Sequence, residues 1–361
     1  MKNFLSTKHF IILILATTLI SIRTYSSFFI KYGQQNTWIY LLIALLILVI
    51  FFYFIINTLN KLDSPDFVKS IKKYLPKPIS TIFLFLFAIG LLLNAIESTA
   101  VESNFIYTNL FLESSIGYYI LLFIIPSIYL LTRKFSSVLI FIIVSFSLLL
   151  LNDAVFAILI EPYKNYRYIF PILHTDLNID SIKCILFLLG SLSSICIVLP
   201  YSKLLNNKKN LKKNIVISLL FISFITVFST IGIIATLGSE RCANIFYPGF
   251  IQSDVIHILE FIEFGEFFYI FRVVIGFFIK YILSSYAIFL IYHDKIKSKK
   301  VFFSLFLIVV FVLSYLISNN NYRLFYFFKY FEIASIILLL LIPLISCFII
   351  SIKLRVNSNQ K

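Results

Sequence analysis

The chain has 361 residues, of which 60% are hydrophobic and only 13% charged, whereas soluble domains carry about 25% charged residues. That leaves too little polar surface to coat a globule, so most of the surface must face lipid. The net charge of +15 does not point to nucleic acid, because the basic residues sit in short gaps between apolar runs rather than along one face.

Ten apolar segments approach or exceed the roughly 20 residues a spanning helix needs. In chain order they cover 8–30, 37–58, 79–105, 115–131, 135–160, 182–204, 215–237, 267–292, 301–318 and 330–352. The first follows Lys2 and Lys8 and runs past Arg23 without a small-residue cleavage site, so it reads as a retained helix, not a signal peptide. Pro76 and Pro78 stand just before the third, where proline is tolerated. A basic pair, Arg133–Lys134, alone separates the fourth from the fifth. With both chain ends in the cytoplasm, 21 of the 31 Lys and Arg fall in cytoplasmic gaps or at the cytoplasmic ends of spans, as the positive-inside rule requires. Of the longer outer loops, 161–181 is polar and aromatic. Loop 238–266 contains an apolar stretch, 250–262, too short to span; an interfacial or re-entrant helix fits it. The expectation is a single all-α transmembrane domain over 1–361. Helices 1–5 would lie at about 8–160, helices 6–10 at about 182–352, and the short interfacial helix within about 238–266.

Five plus five helices is the count of an inverted-repeat transporter, in which the first helix of each repeat is unwound at mid-bilayer to bind ligand. The sixth segment carries Gly190-Ser191-Leu192-Ser193-Ser194 near its middle. The first carries Thr17, Thr18 and Ser21 at mid-depth, then Ser26 and Ser27, with no glycine or proline. Such residues either weaken the helix and serve freed backbone groups or let helices pack closely. Lys280, near the middle of the eighth segment, either holds a carboxylate ligand or replaces a coupling cation, or else pairs with Glu97 in the third. Arg23 and Arg272 are expected to snorkel towards the outer surface. Asp153, beside Asn152, is read as a lining or cap-like group, and Glu102 as solvated. His9, His174, His257 and His293 lie at ends or in loops and form no metal cluster. Cys184, Cys196, Cys242 and Cys347 have neither metal nor redox spacing. No catalytic constellation appears, so the chain does not read as an enzyme, and no cofactor is expected.

Several short motifs carry a resemblance. Tyr247-Pro248, Phe261-Ile262-Glu263 with Glu266, Gly276-Phe277-Phe278-Ile279-Lys280 and Tyr286-Ala287 follow one another with the spacing found in the B subunits of bacterial spore germinant receptors. Leu199-Pro200-Tyr201, Arg133-Lys134, Pro171-Ile172-Leu173 and Gln35-Asn36-Thr37-Trp38 also resemble motifs of that family, so the likeness runs from about residue 8 to about residue 292. The resemblance implies the fold of the amino acid–polyamine–organocation superfamily and a place in the spore inner membrane beside an A subunit and a lipoprotein C subunit. It also implies a pocket for a small nutrient such as an amino acid. Gly190-Ser191 matches the family's Gly-Glu in helix six, and Lys280 its helix-eight lysine. Two departures stand out: Ser191 replaces the acidic residue, and the first helix lacks the family's glycines and proline, with Leu19, Ser21 and Ser26 in their region. The expected ligand residues are Thr18, Ser21, Gly190, Ser191 and Ser194, with Lys280 and Glu97 as buried charges. The rival readings are a working amino-acid permease and, from a different class, a membrane-embedded polysaccharide polymerase or transferase.

Overall fold

The computed structural model describes residues 5–62, 65–172, 178–206, 210–256 and 265–359. Among them, nine helices are long and apolar enough to cross a bilayer, and Ile116–Thr132 is a shorter apolar tenth. Span 1 runs through three helical pieces, Thr7–Thr18, Ile20–Thr24 and Ser26–Gly33. Spans 2 to 5 are Thr37–Lys61, Lys77–Asn109, Ile116–Thr132 and Phe135–Ile160. Span 6 is α-helical over Ile179–Leu192 and continues as a 3-10 helix over Ser193–Leu204. Spans 7, 8 and 9 are Leu211–Leu237, Gly265–Tyr292 and Lys299–Ser318. Span 10 covers Asn321–Ser335, a π-helical turn Ile336–Leu341, and Ile342–Asn359. Leu46, Ile50, Ile158 and Phe224, each more than 60% exposed, belong to a girdle of large apolar side chains that only lipid can solvate favourably.

The expected pattern of spans is present, but span 10 is longer at both ends, running on to Asn359. Span 10 starts at Asn321 rather than near residue 330, because Asn320 caps it, its side chain accepting from the amides of Tyr322 and Arg323. Nine further residues, among them Tyr322, Tyr326 and Lys329, join the helix, and Glu332 moves from its end to its interior. In loop 238–266 two short helices, Ser239–Asn244 and Pro248–Asp254, are described. The second is tucked into the bundle, with Phe250 against Phe105 and Tyr269. Residues 257–264 of that loop, with His257 and the Phe261-Ile262-Glu263 motif, lie outside the described residues, as do Leu173 and His174.

Span 1 has the interruption expected of the first helix of a repeat, whereas span 6 changes its winding without leaving helical geometry. Span 1 leaves helical geometry at Tyr25 (φ −107°, ψ 46°) without glycine or proline. Side chains from other spans bind its backbone at this break and two turns before it. Tyr269 of span 8 donates to the Thr24 carbonyl at 2.8 Å, and Ser194 of span 6 donates to the Thr17 carbonyl at 3.1 Å. In a bilayer, an irregular segment persists only where neighbouring groups satisfy its polar atoms in this way. In span 6 the change from α to 3-10 falls at Ser193, whose hydroxyl donates to the Gly190 carbonyl.

Gly190 itself serves packing. A Cβ built there would lie 2.3 Å from the backbone oxygen of Glu332 and 2.8 Å from its carbonyl carbon and Cα, so span 10 can approach span 6 only over a glycine. The close-packing reading of this serine-rich stretch thus holds at Gly190, and the change of winding falls one turn on, at Ser193. Gly190→Ala must push the span 10 backbone away. The expected cost is about 1–3 kcal/mol, typical of overpacking, read as a lower melting temperature in detergent; an unchanged melting temperature would contradict the close approach.

Candidate functional site

The least solvated charges lie where the break of span 1 and the change of winding in span 6 face spans 3, 8 and 10. Lys280 Nζ donates to Glu97 Oε2 at 2.9 Å and to Ser21 Oγ at 2.8 Å. Ser21 in turn donates to Glu97 Oε1 at 2.9 Å, closing a ring of three groups. Span 8 supplies the ammonium, span 3 the carboxylate and span 1 the hydroxyl, and both charged side chains are at most 1% exposed. Of the two sequence readings of Lys280, the structure shows the pair with Glu97.

Two further residues, which sequence reasoning did not single out, complete the cluster. The Tyr25 hydroxyl, at the break of span 1, lies 3.0 Å from Glu97 Oε1 and 3.3 Å from Glu332 Oε1. One hydroxyl proton cannot serve two carboxyl groups at once, so one of them is left short of a donor. Glu332, fully buried, also has no partner for its Oε2. The hydroxyls of Ser191 and of Ser335, one turn beyond Glu332, are likewise buried and unpartnered. Unsatisfied buried polar atoms are rare enough that each calls for a cause, and a polar ligand or water is the ordinary one.

The expected site residues divide accordingly. Ser21, Glu97 and Lys280 meet, and Ser191 offers an uncommitted hydroxyl. Thr18 donates to the Ile14 carbonyl of its own helix at 2.7 Å, and Ser194 holds span 1 through Thr17. Gly190 supplies proximity to Glu332 rather than a ligand contact. The signal for Glu332 was a carboxylate in an apolar helix, hidden because the start of span 10 was placed too late.

A second ionic group lies nearer the end of the bundle remote from the chain termini. Asp153 Oδ2 accepts from Arg23 Nη1 at 2.5 Å, and its Oδ1 from Arg272 Nε at 2.7 Å. Neither arginine snorkels: they are 5% and 2% exposed, because a shared carboxylate inside the bundle offers them a partner that lipid cannot. Asp153 is a bridge between spans 1, 5 and 8, not a cap. Glu102 is buried at 4% exposure rather than solvated, accepting from Ser103 Oγ at 3.2 Å. No metal-binding group of His, Cys, Asp and Glu occurs among the described residues.

Beyond the break of span 1, a vestibule of about 360 Å³ opens between Ser27, Lys31, Asn244, Tyr322 and Lys329. Aromatic rings separate it from the buried cluster. Tyr25 stacks on Phe328 with centroids 4.1 Å apart, and Phe28 and Phe325 pack edge-on against Phe328. Tyr25 therefore has its ring in this barrier and its hydroxyl in the charge cluster.

A family model described as spore germination protein matches residues 4–323. The chain belongs to the spore germination protein family. No curated protein matches it. Its fold is similar to that of a solved Na⁺-coupled sialic acid symporter in a substrate-bound, outward-open state. The TM-score is 0.59 at 15% identity, over 87% of this chain and 74% of that one. This germination protein thus has the five-plus-five inverted-repeat transporter fold expected from its helix count, and the break of span 1 is kept although the usual glycines are absent.

Removing one member of a buried ion pair strands the other, at a cost of about 3–5 kcal/mol, whereas replacing both is far milder. In this germination protein Lys280→Met should sharply lower yield and melting temperature in detergent, and Glu97→Gln with Lys280→Met should recover much of the loss. Equal losses in the single and double variants would show that the pair is not coupled as the geometry indicates.

Proposed function

We propose that the chain is the nutrient-sensing membrane subunit of a spore germinant receptor, a transporter-fold sensor rather than an enzyme. In this reading it sits in the spore inner membrane with both ends in the cytoplasm, beside an A subunit and a lipoprotein C subunit. The nutrient binds at the level of the span 1 break and the change of winding in span 6. Binding favours one packing of the bundle over another, which requires different affinity for the two packings, and the partner subunits respond to the shift.

One observation carries the reading: Ser191, Glu332 and Ser335 present unsatisfied buried polar atoms where spans 6 and 10 touch. It also suggests the ligand's chemistry. Lys280 is already matched by Glu97, so the Glu332 carboxyl is the acid left over for a positively charged group. Ser191 stands where the germinant-receptor pattern has an acidic residue, and the backbone of Glu332 packs against the preceding Gly190. Span 10 thus returns a carboxyl to the level at which span 6 lacks one. An amine-bearing nutrient, such as an amino acid, fits this arrangement, entering through the vestibule when the Tyr25–Phe328 barrier opens.

Two spore strains test the proposal. Lys280→Ala should abolish either the germination response or receptor assembly. Glu332→Gln, which keeps size and shape, should leave the receptor at normal level by immunoblot and reduce the response to amine nutrients on the order of tenfold or more, the loss of one charged contact. Normal responses and receptor levels in both strains would overturn the assignment. Accumulation of labelled amino acid by vesicles carrying this chain alone would instead establish a working permease.

A further inference from the structure

A laterally open groove of about 260 Å³ runs between spans 5 and 7, on the far side of the Asp153 bridge from the central cluster. Its walls change character along their length. Towards the middle of the bundle they are Leu150, Phe221, Phe224 and Ile225. Phe221 and Phe224 are 41% and 68% exposed, so the groove opens onto the lipid-facing surface. Towards the end of the bundle remote from the termini, the lining becomes cationic, with Arg23, Arg272 and Lys164.

Lys164 is the informative residue. It follows the end of span 5, where a lysine would ordinarily extend into water. Here the side chain is only 2% exposed. It folds back over the Phe228 ring, 4.5 Å from the centroid, and its Cε lies 3.4 Å from where a Cβ on Gly232 would stand. Its partner Glu161 remains 48% exposed at the rim. The three cations face two carboxylates, Asp153 and Glu161, so the group keeps a net positive charge. Among the described residues, Arg272 spends only its Nε–H on a protein acceptor, and Arg23 only those on Nε and Nη1. Several guanidinium N–H groups therefore remain for a ligand, in the fork geometry that suits phosphate.

We propose that this groove binds an anionic phospholipid from the leaflet at that end of the bundle. Its phosphodiester is held by Arg272, Arg23 and Lys164, and one acyl chain lies along Phe221, Phe224 and Phe228. The order of chemistry along the groove, cation near the membrane surface and hydrocarbon deeper, matches a lipid standing in its own leaflet. An occupant here touches spans 1 and 8 through the arginines that share Asp153, so it bears on two of the spans that hold the central cluster.

Native mass spectrometry of the purified protein, with phosphatidylglycerol and phosphatidylcholine of identical acyl chains, tests this directly. Wild type should retain phosphatidylglycerol preferentially, and millimolar inorganic phosphate should not displace it. Lys164→Gln should weaken retention on the order of tenfold, the worth of one charge-assisted contact. Ala157→Trp, a groove-lining change on the lipid side of span 5, should block it while leaving the melting temperature of the lipid-free protein unchanged. Equal retention of the two lipids, or undiminished phosphatidylglycerol in either variant, would overturn the proposal. Displacement by phosphate alone would assign the cations to a free anion. Loss of a co-purifying protein from Ala157→Trp without change in lipid would assign the groove to a partner helix, and either result also contradicts it.

Discussion

The structure depends on one constraint: an ammonium at the centre of a membrane protein must be matched by a charge and by hydrogen bonds within the bundle. Lys280 meets it with Glu97 at 2.9 Å and Ser21 at 2.8 Å, and this ties together spans 8, 3 and 1. Because Ser21 lies just before the break at Tyr25, the ion pair also anchors the irregular part of span 1. Close contacts reinforce the arrangement. A Cβ on Gly276 of span 8 would fall 2.5 Å from Ile20 Cδ1, and Tyr269 holds the Thr24 carbonyl. The unwound segment is thus held from outside by side chains of other spans rather than by residues of its own that favour bending.

The same cluster links chemistry to access. Tyr25 joins the aromatic barrier beneath the vestibule to both carboxyl groups, its ring stacked on Phe328 and its hydroxyl between Glu97 and Glu332. Glu332 lies one turn before the π-helical turn of span 10, and such turns often mark functional positions because they loosen the regular ladder. Gly90 of span 3 accommodates that turn, since a Cβ there would meet Leu338 and Leu339 within 2.9 Å. Spans 1, 6 and 10, each irregular near this level, surround a polar centre held by spans 3 and 8, which are helical throughout.

Much of this was legible in the chain. Apolar length located the spans, the Arg133–Lys134 pair marked the turn between the fourth and fifth, and the cost of burying charge singled out Lys280 and Glu97. The serines of span 6 marked its change of helix type. Other features were not legible because they depend on tertiary partners. Ser26 and Ser27 beside Tyr25 did not by themselves locate the break, since the group that holds its backbone, the Tyr269 hydroxyl on the Thr24 carbonyl, comes from far along the chain. Arg23 and Arg272 read as snorkelling residues because their shared acid, Asp153, sits on a third span. Glu332 was missed for a local reason: the Asn320 cap extends span 10 by more than two turns across a polar, aromatic stretch that hydropathy does not favour.

The central claim is that the unspent carboxyl of Glu332, beside an already neutralised Lys280, recognises an amine-bearing nutrient. The most direct measurement is a thermal-shift comparison on the purified wild-type protein, using a panel of amino acids, each beside its hydroxy-acid analogue lacking the amine. At least one amino acid should raise the melting temperature while its hydroxy-acid counterpart does not. Stabilisation by the hydroxy acid equal to that by its parent amino acid would contradict the account, because recognition would then rest on groups other than the amine.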